Sequence, residues 1–280
     1  MRVRAVALLT GAVLCAACHT PLNYLGTQGP RYAGGPAAMP AAGSAGPLRI
    51  VTFNVKYARR VDSAIVVLES EQSLRDADLI MLQEMDAPGT ERIARALGLG
   101  YVYYPATVHP GTRNDFGNAI LTRWPMVSDA KILLPHRGRG SGTARAATAA
   151  TIRVGGRLVR VYSVHLGTPT EIGPRSRRDQ ILTILADAEG YPQVVVGGDM
   201  NNHELGYMVR DHGYQWPTER GPRTGRLGRW DHLFLKGFHA VGGDGTGTVL
   251  DNRGASDHRP VWAFAAPEAA PSDSAPAPKP

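Results

Sequence analysis

Between residues 48 and 264 the chain consists of short apolar runs that stop abruptly at a polar residue, and this pattern restricts its fold more than any other feature. Segments 48–54, 79–84, 118–122, 126–134 and 144–154 read as β-strands, as do 158–165, 194–197, 232–235 and 260–264. Several are continuously apolar instead of alternating, which is expected of strands covered on both faces. Helix-like segments separate them. Asp62 is placed to cap a helix running to about Arg75, with Ile65, Val66 and Leu68 on adjoining faces. A second helix is expected over 91–97, and a third after Pro174, carrying Ile181, Leu182 and Leu185. Gly155-Gly156 between two strands reads as a hairpin turn. A purely parallel sheet would not contain it, so the residues point to an α/β layered fold with antiparallel pairs.

The flanks have a different character. Residues 26–47 are dominated by Gly, Ala and Pro and offer little to bury, and residues 265–280 are similar. The organisation expected is therefore a leader over 1–17, a flexible tether over 18–47, a folded domain over 48–264 and a disordered tail over 265–280. No fixed period suggests a solenoid or collagen-like array.

Arg2 and Arg4 precede an apolar run from Ala5 to Ala17, which is too short to cross a bilayer, where about 20 apolar residues are needed. A charged start, an apolar middle and a small-residue end are the marks of an export signal. Cys15 and Cys18 have C-x-x-C spacing, yet no βαβ unit surrounds them, which argues against a thioredoxin-like redox pair. The segment resembles a bacterial lipoprotein signal, in which cleavage leaves Cys18 as a lipid-modified N-terminus. Cys15 stands where that pattern usually has Leu. The expectation is an exported cell-envelope lipoprotein, with a periplasmic or secreted form bearing a free thiol as the alternative. The formal net charge of +7 survives loss of Arg2 and Arg4 as a basic balance, compatible with phosphate-bearing partners or with simple compositional bias.

The chemistry-bearing residues sit at strand ends: Asn54, Glu84, His165, Asp199 and His258. Strand ends and the loops after them are where layered α/β folds build sites. Taken singly, each has an ordinary explanation. Asn54 caps a turn, Glu84 pairs with an arginine, and His165 is a satisfied core histidine.

Their order is more informative. Thr52-Phe53-Asn54-Val55, Leu82-Gln83-Glu84 and Gly117-Asn118-Ala119-Ile120-Leu121 resemble successive motifs of the endonuclease/exonuclease/phosphatase superfamily. So do Ser163-Val164-His165-Leu166, Gly197-Gly198-Asp199-Met200-Asn201, Trp230-Asp231-His232 and Ser256-Asp257-His258-Arg259-Pro260. The resemblance implies a four-layered α/β sandwich, two mixed β-sheets packed face to face with flanking helices. It also implies hydrolysis of phosphoesters with Mg²⁺ or Mn²⁺. The oxygen-rich candidate ligands, without a cysteine cluster or an HExxH helix, independently favour a hard cation.

On this reading Glu84 and Asn54 hold the metal, with Asp257 as a nearby or water-mediated contributor. Asp199 positions or deprotonates the attacking water, and Asn201 holds that water or a phosphoryl oxygen. His165 and His258 bond the phosphate, each donating when protonated, and Asp231 orients His258. Asp199 and His258 are both open as the base. Asn118 is a site-edge residue or a turn former, and Arg145 reaches a phosphate or is a solvated strand residue. His232 reads as packing, while His109, His136, His203, His212 and His239 show no chemical spacing. The basic loop 220–229 is a substrate-contact edge or a solvated loop.

Substrate is the open part. A phosphodiesterase of nuclease type fits the basic chain, although dense interleaving of aromatic and basic residues is missing. A sphingomyelinase-like or phosphoinositide-type enzyme acting on a phospholipid headgroup fits a membrane tether. A non-catalytic tethered binding module should have lost part of the constellation, and every charged or imidazole position is present.

Overall fold

The structure is a computed structural model and describes residues 21–36, 46–243 and 245–268. The leader, Cys18 and residues 269–280 lie outside the described residues. The apolar runs pair into two mixed sheets stacked face to face. The larger sheet has the order β1 (Tyr32–Gly34), β4 (Gly100–Val108), β5 (Asp115–Thr122), β3 (Leu79–Met85), β2 (Leu48–Asn54), β13 (Val261–Pro267) and β11 (Phe238–Ala240). A short β12 (Thr246–Thr248) also pairs with β13. The second sheet has the order β10 (Asp231–Lys236), β9 (Val194–Asp199), β8 (Arg157–His165), β7 (Arg145–Val154) and β6 (Met126–Leu134).

Each sheet contains one parallel pair joined by a helical crossover, as parallel pairing requires. β2 and β3 are joined through α1 (Val61–Ser70), and β8 and β9 through α3 (Pro174–Asp187). Helices α1 and α2 (Ala87–Leu97) cover the larger sheet; α3 and α4 (Leu205–Asp211) cover the smaller. Alternation along β2 shows why its run is continuously apolar. Leu48 and Ile50 face the opposing sheet, while Val51 and Phe53 face the helices. Four layers result, as the resemblance implied.

Local differences from the expected elements have identifiable causes. Asp62 lies in the first turn of α1, whose N-cap is Arg60, and its carboxylate pairs with Arg92 at 2.5 Å. The helix ends at Ser70, short of Arg75, and the chain then turns so that Leu74 enters the core. α2 begins four residues earlier than residue 91, because the Asp86 carboxylate accepts the Gly89 N–H at 2.8 Å and Pro88 suits the first turn. β4 has no counterpart among the expected strands. Its Pro105 sits at a register shift against β5, opposite Gly117, where a Cβ would lie 2.1 Å from the Tyr104 carbonyl oxygen.

Residues 21–36 correct the flexible-tether expectation for their part of 18–47. β1 pairs with β4, and the Asn23 amide donates to Gly142 O at 3.0 Å and accepts from Ala144 N at 2.8 Å. Arg31 forks onto Asp129 with two 2.7 Å bonds, and Lys131 donates to Tyr24 O at 2.6 Å. Composition concealed this docking because backbone carbonyls and the charged partners Asp115, Asp129 and Lys131 hold the segment, with little apolar burial. β13 likewise runs past 264 to Pro267. Among the described residues, no helix is long and apolar enough to cross a membrane.

Candidate active site

The C-terminal ends of the two parallel pairs meet at one end of the sandwich. Asn54 ends β2, Glu84 lies one residue before the end of β3, His165 ends β8 and Asp199 ends β9. Register then sets the neighbours: Asp199 pairs with His165 on one side and with Asp231 on the other. Two glycines allow this. Gly198 has φ +154°, and a Cβ there would lie 1.8 Å from Val164 O; a Cβ on Gly197 would meet the end of Met81 from the facing sheet. Glu84 sits in a β-bulge at φ +58°, and that left-handed conformation diverts its side chain from the alternation of β3.

Asp199 is the hub. Its Oδ1 accepts from Asn201 N at 2.9 Å, and its Oδ2 accepts from Asn54 Nδ2 at 3.1 Å. The same Oδ2 faces His165 Nε2 at 3.5 Å and His258 Nε2 at 3.6 Å. His258 Nδ1 is 2.8 Å from Asp231 Oδ2, the pairing expected of them. Burial, with Asp231 and Glu84 nearby, raises Asp199 to about 7 against the pull of His258. Burial opposes charge on His258, but Asp231, Asp199 and Glu84 prevail and raise it to about 10.

His165 behaves in the opposite way. Arg145 donates to its Nδ1 at 3.0 Å and to Glu171 Oε2 at 2.8 Å. Burial, Arg145 and His258 depress its pKa well below the ordinary value. His165 is therefore neutral and can donate through Nε2–H without becoming an imidazolium, unlike the expectation that each histidine donates when protonated. Arg145 is buried at this centre, and the solvated reading is excluded.

Four other expected residues have polar partners of their own. The Asn54 oxygen accepts from Lys56 N at 3.0 Å, so its amide nitrogen, not its oxygen, faces Glu84 and Asp199. Asn201 commits its amide nitrogen to Leu166 O at 3.0 Å and steadies the loop after β9. Asn118 ties the sheets together by donating to Ala146 O at 2.7 Å. Asp257 lies at the half-exposed rim and pairs with Lys56 at 2.7 Å.

The donor set fits a divalent cation. Glu84 Oε2 and Asp231 Oδ1 are buried without a hydrogen-bond partner, and such orphaned carboxylate oxygens are natural hard-cation ligands. Carboxylate oxygens of Asp199 and Asp231 lie within 4.8 Å of each other beside His258, whose protonated ring cannot itself ligate. Burial pushes the Glu84 carboxyl up, against Asn54, Arg145 and His258, so a cation there relieves the cost of its charge.

Residues without a sequence signal complete the surroundings. Lys56, Tyr57 and Ala58 form three successive residues at positive φ, 43°, 59° and 51°. Each such residue costs on the order of 1–3 kcal/mol and persists where surrounding structure over-determines it. Tyr57 thereby meets His109, whose ring centroid is 4.4 Å away, and Phe116. Nothing in the spelling Lys-Tyr-Ala announces a left-handed turn, so spacing alone missed Tyr57 and His109. His232 is buried against Trp216, as read from the sequence, with His203 beside it. His136, His212 and His239 are exposed. The loop 220–229 borders the site: Thr224 Oγ1 accepts from Asp231 N at 3.1 Å, and Arg220, Arg223, Arg226 and Arg229 are exposed.

Fold and site together define an α/β-sandwich protein whose buried carboxylate–histidine centre lies across the ends of two stacked sheets. The chain belongs to the Endonuclease/Exonuclease/phosphatase family, whose model matches residues 51–258. Its members are as a rule hydrolytic phosphoesterases. An endonuclease/exonuclease/phosphatase from Bacteroides vulgatus aligns at 16% identity with a TM-score of 0.63, over 80% of this chain and 100% of that one. TDP2 of D. rerio, complexed with a single-strand DNA product, aligns at 16% and 0.60 over 79% and 100%. Sphingomyelinase C of Streptomyces griseocarneus aligns at 16% and 0.54 over 79% and 99%. At such identities the likeness concerns the fold. Among curated proteins, no sequence match is found.

Proposed function

We propose that this protein is an exported, divalent-metal-dependent phosphodiesterase of nuclease type. The observation that carries the reaction class is the buried, partnerless Oε2 of Glu84, whose other oxygen shares the Asn54 amide with Asp199 beside His258. A bound Mg²⁺ or Mn²⁺ supplies neutralisation of charge on the phosphoryl oxygens. Glu84 would hold it through its unpartnered oxygen. His258, kept cationic by Asp231, donates Nε2–H to a phosphoryl oxygen, and neutral His165 donates its own Nε2–H. With His258 already protonated, Asp199 is the group free to accept a proton from the attacking water.

Nuclease type is supported by the exposed arginines along the site's borders and by the fold neighbour seen with single-strand DNA product. Export and lipid attachment at Cys18, placing the enzyme on a bacterial membrane, are supported by the leader's charge and apolar pattern. One panel tests the function: DNA, RNA, sphingomyelin and phosphoinositides, each with Mg²⁺ and with chelator. Metal-dependent cleavage of a nucleic acid is expected, and cleavage of lipid headgroups alone would reject the nuclease reading. Cys18→Ser should move the protein from the membrane to the soluble fraction, whereas unchanged fractionation would reject the anchor.

A further inference from the structure

Beside Glu84 and Arg145 a cavity of about 290 Å³ opens off the catalytic centre. Tyr57, His109 and Phe116 form one wall, with ring centroids 4.4, 5.8 and 5.5 Å apart around the trio. Phe116 also lies 5.9 Å from the His165 ring, so this wall is continuous with the reacting centre. Hydroxyl-bearing Ser141, Thr143, Thr168 and Thr170 line other parts of the cavity. The volume is at the small end of ligand pockets, which run from about 300 to 1,000 Å³. It suits a single ring system.

The chemistry above makes no use of these three rings. Tyr57 is nonetheless delivered by a left-handed turn that L-residues avoid, and such strain gathers at ligand clamps. Burial, with Arg145 and Arg59, lowers His109 and keeps it a neutral, stackable ring.

We propose that this cavity seats an unstacked nucleobase next to the scissile phosphate, making single-stranded or unpaired nucleic acid the preferred substrate. The proposal rests on the phosphodiesterase reading and narrows its substrate. Every base offers a π-face to an aromatic wall, so the subsite tolerates different bases. A base held in a duplex stack has to leave it to enter a cavity this close to the phosphate. A quaternary ammonium headgroup is disfavoured by two cations already on the rings. The Arg145 guanidinium lies 5.2 Å from the Phe116 centroid and that of Arg59 5.0 Å from the Tyr57 centroid. Arg59 and Arg60, both exposed, continue outward from Tyr57, where flanking phosphates of a strand would run.

The test is binding in chelator, so that no strand is cut, read by fluorescence anisotropy. Three probes are compared: a single-stranded oligonucleotide, a tetrahydrofuran abasic oligomer of equal length, and the matching duplex. The native chain should bind the base-bearing strand about tenfold more tightly than the abasic oligomer, the scale of one stacked base. Tyr57→Ala should erase most of that advantage and Tyr57→Phe should keep it; Tyr57 is half-buried, so neither change removes core. Equal affinity for base-bearing and abasic strands, or equal weakening of both by Tyr57→Ala, overturns the proposal, as does a preference for duplex. Turnover with Mg²⁺ is measured separately. Its absence on every substrate rejects the hydrolase reading, while the binding comparison still decides the cavity.

Discussion

Arg145 donates to His165 Nδ1 across 3.0 Å, and because a guanidinium has no acceptor, the His165 proton must sit on Nε2. That nitrogen lies 3.5 Å from Asp199 Oδ2. The arginine therefore sets which edge of the imidazole can donate toward a substrate oxygen.

Arg145→Met should lower kcat by about 10–100-fold, the usual loss when a partner that orients a functional imidazole is removed. Arg145→Lys should fail to restore it, because an ammonium cannot fork to His165 and Glu171 together. ¹⁵N NMR of the His165 ring should show mixed tautomers in both variants and a single one in the native chain.

Asp231→Asn should cost about 10²–10⁴-fold in kcat, the range for a group that sets acid–base chemistry. The variant removes the leading partner that opposes burial and raises His258 to about 10. In metal-free protein the His258 titration, followed by ¹⁵N NMR, should move down from that alkaline midpoint. An unchanged midpoint would show that Asp199 and Glu84 alone hold the proton.

Glu84→Gln should raise the Mg²⁺ concentration needed for half-maximal activity by at least about tenfold, since a neutral amide is a poorer hard-cation ligand. Calorimetric titration of metal into both proteins checks this without relying on turnover. Identical isotherms would move the metal away from Glu84.

Gly198→Ala should destabilise the fold by more than the roughly 1–3 kcal/mol typical of overpacking, because its Cβ would meet backbone at 1.8 Å. Gly197→Ala should be milder, as its Cβ would meet the flexible end of Met81 at 2.5 Å. Met81→Val should rescue the second variant and leave the first unfolded in denaturant titrations.

Glu171 should make stability fall with acid. Burial alone would raise its pKa, but the charge and hydrogen bond of Arg145, helped by Thr168 and Thr143, lower it from 4.5 to about 2. Its folded pKa is depressed, so its contribution is complete above 4.5 and is lost as pH falls from there toward 2. The stability gap between the native chain and Glu171→Gln should be widest near neutrality and narrow across that window.

The strand ends were legible because burial is written locally. Continuous apolar runs announced both-face-covered strands, and Glu84, His165 and Asp199 stood out as polar groups closing them. Asp231 beside His258 followed from motif order. Arg145 was not legible, since a strand arginine looks the same whether it faces water or a histidine on the next strand. The partners of Asn118, Asn201, Asp257 and the oxygen of Asn54 were likewise out of reach, because they are the Ala146 and Leu166 carbonyls, the Lys56 ammonium and the Lys56 N–H. The docking of residues 21–36 was hidden for a related reason: its bonds run to Gly142, Ala144 and Asp129, more than ninety positions away in the chain.

The amino-acid order by itself determined the layered α/β architecture, the family, and which polar residues cap which strands, because apolar periodicity and strand termination are properties of neighbours. Tertiary structure alone decided what each capped residue does. Parallel register put Asp199 between His165 and Asp231, and the stacked sheets left Glu84 with a buried, unpartnered oxygen. A left-handed turn brought Tyr57 against a histidine fifty-two positions away. Proton location, charge and access depend on which groups lie within a few ångströms, and those neighbours come from distant parts of the chain.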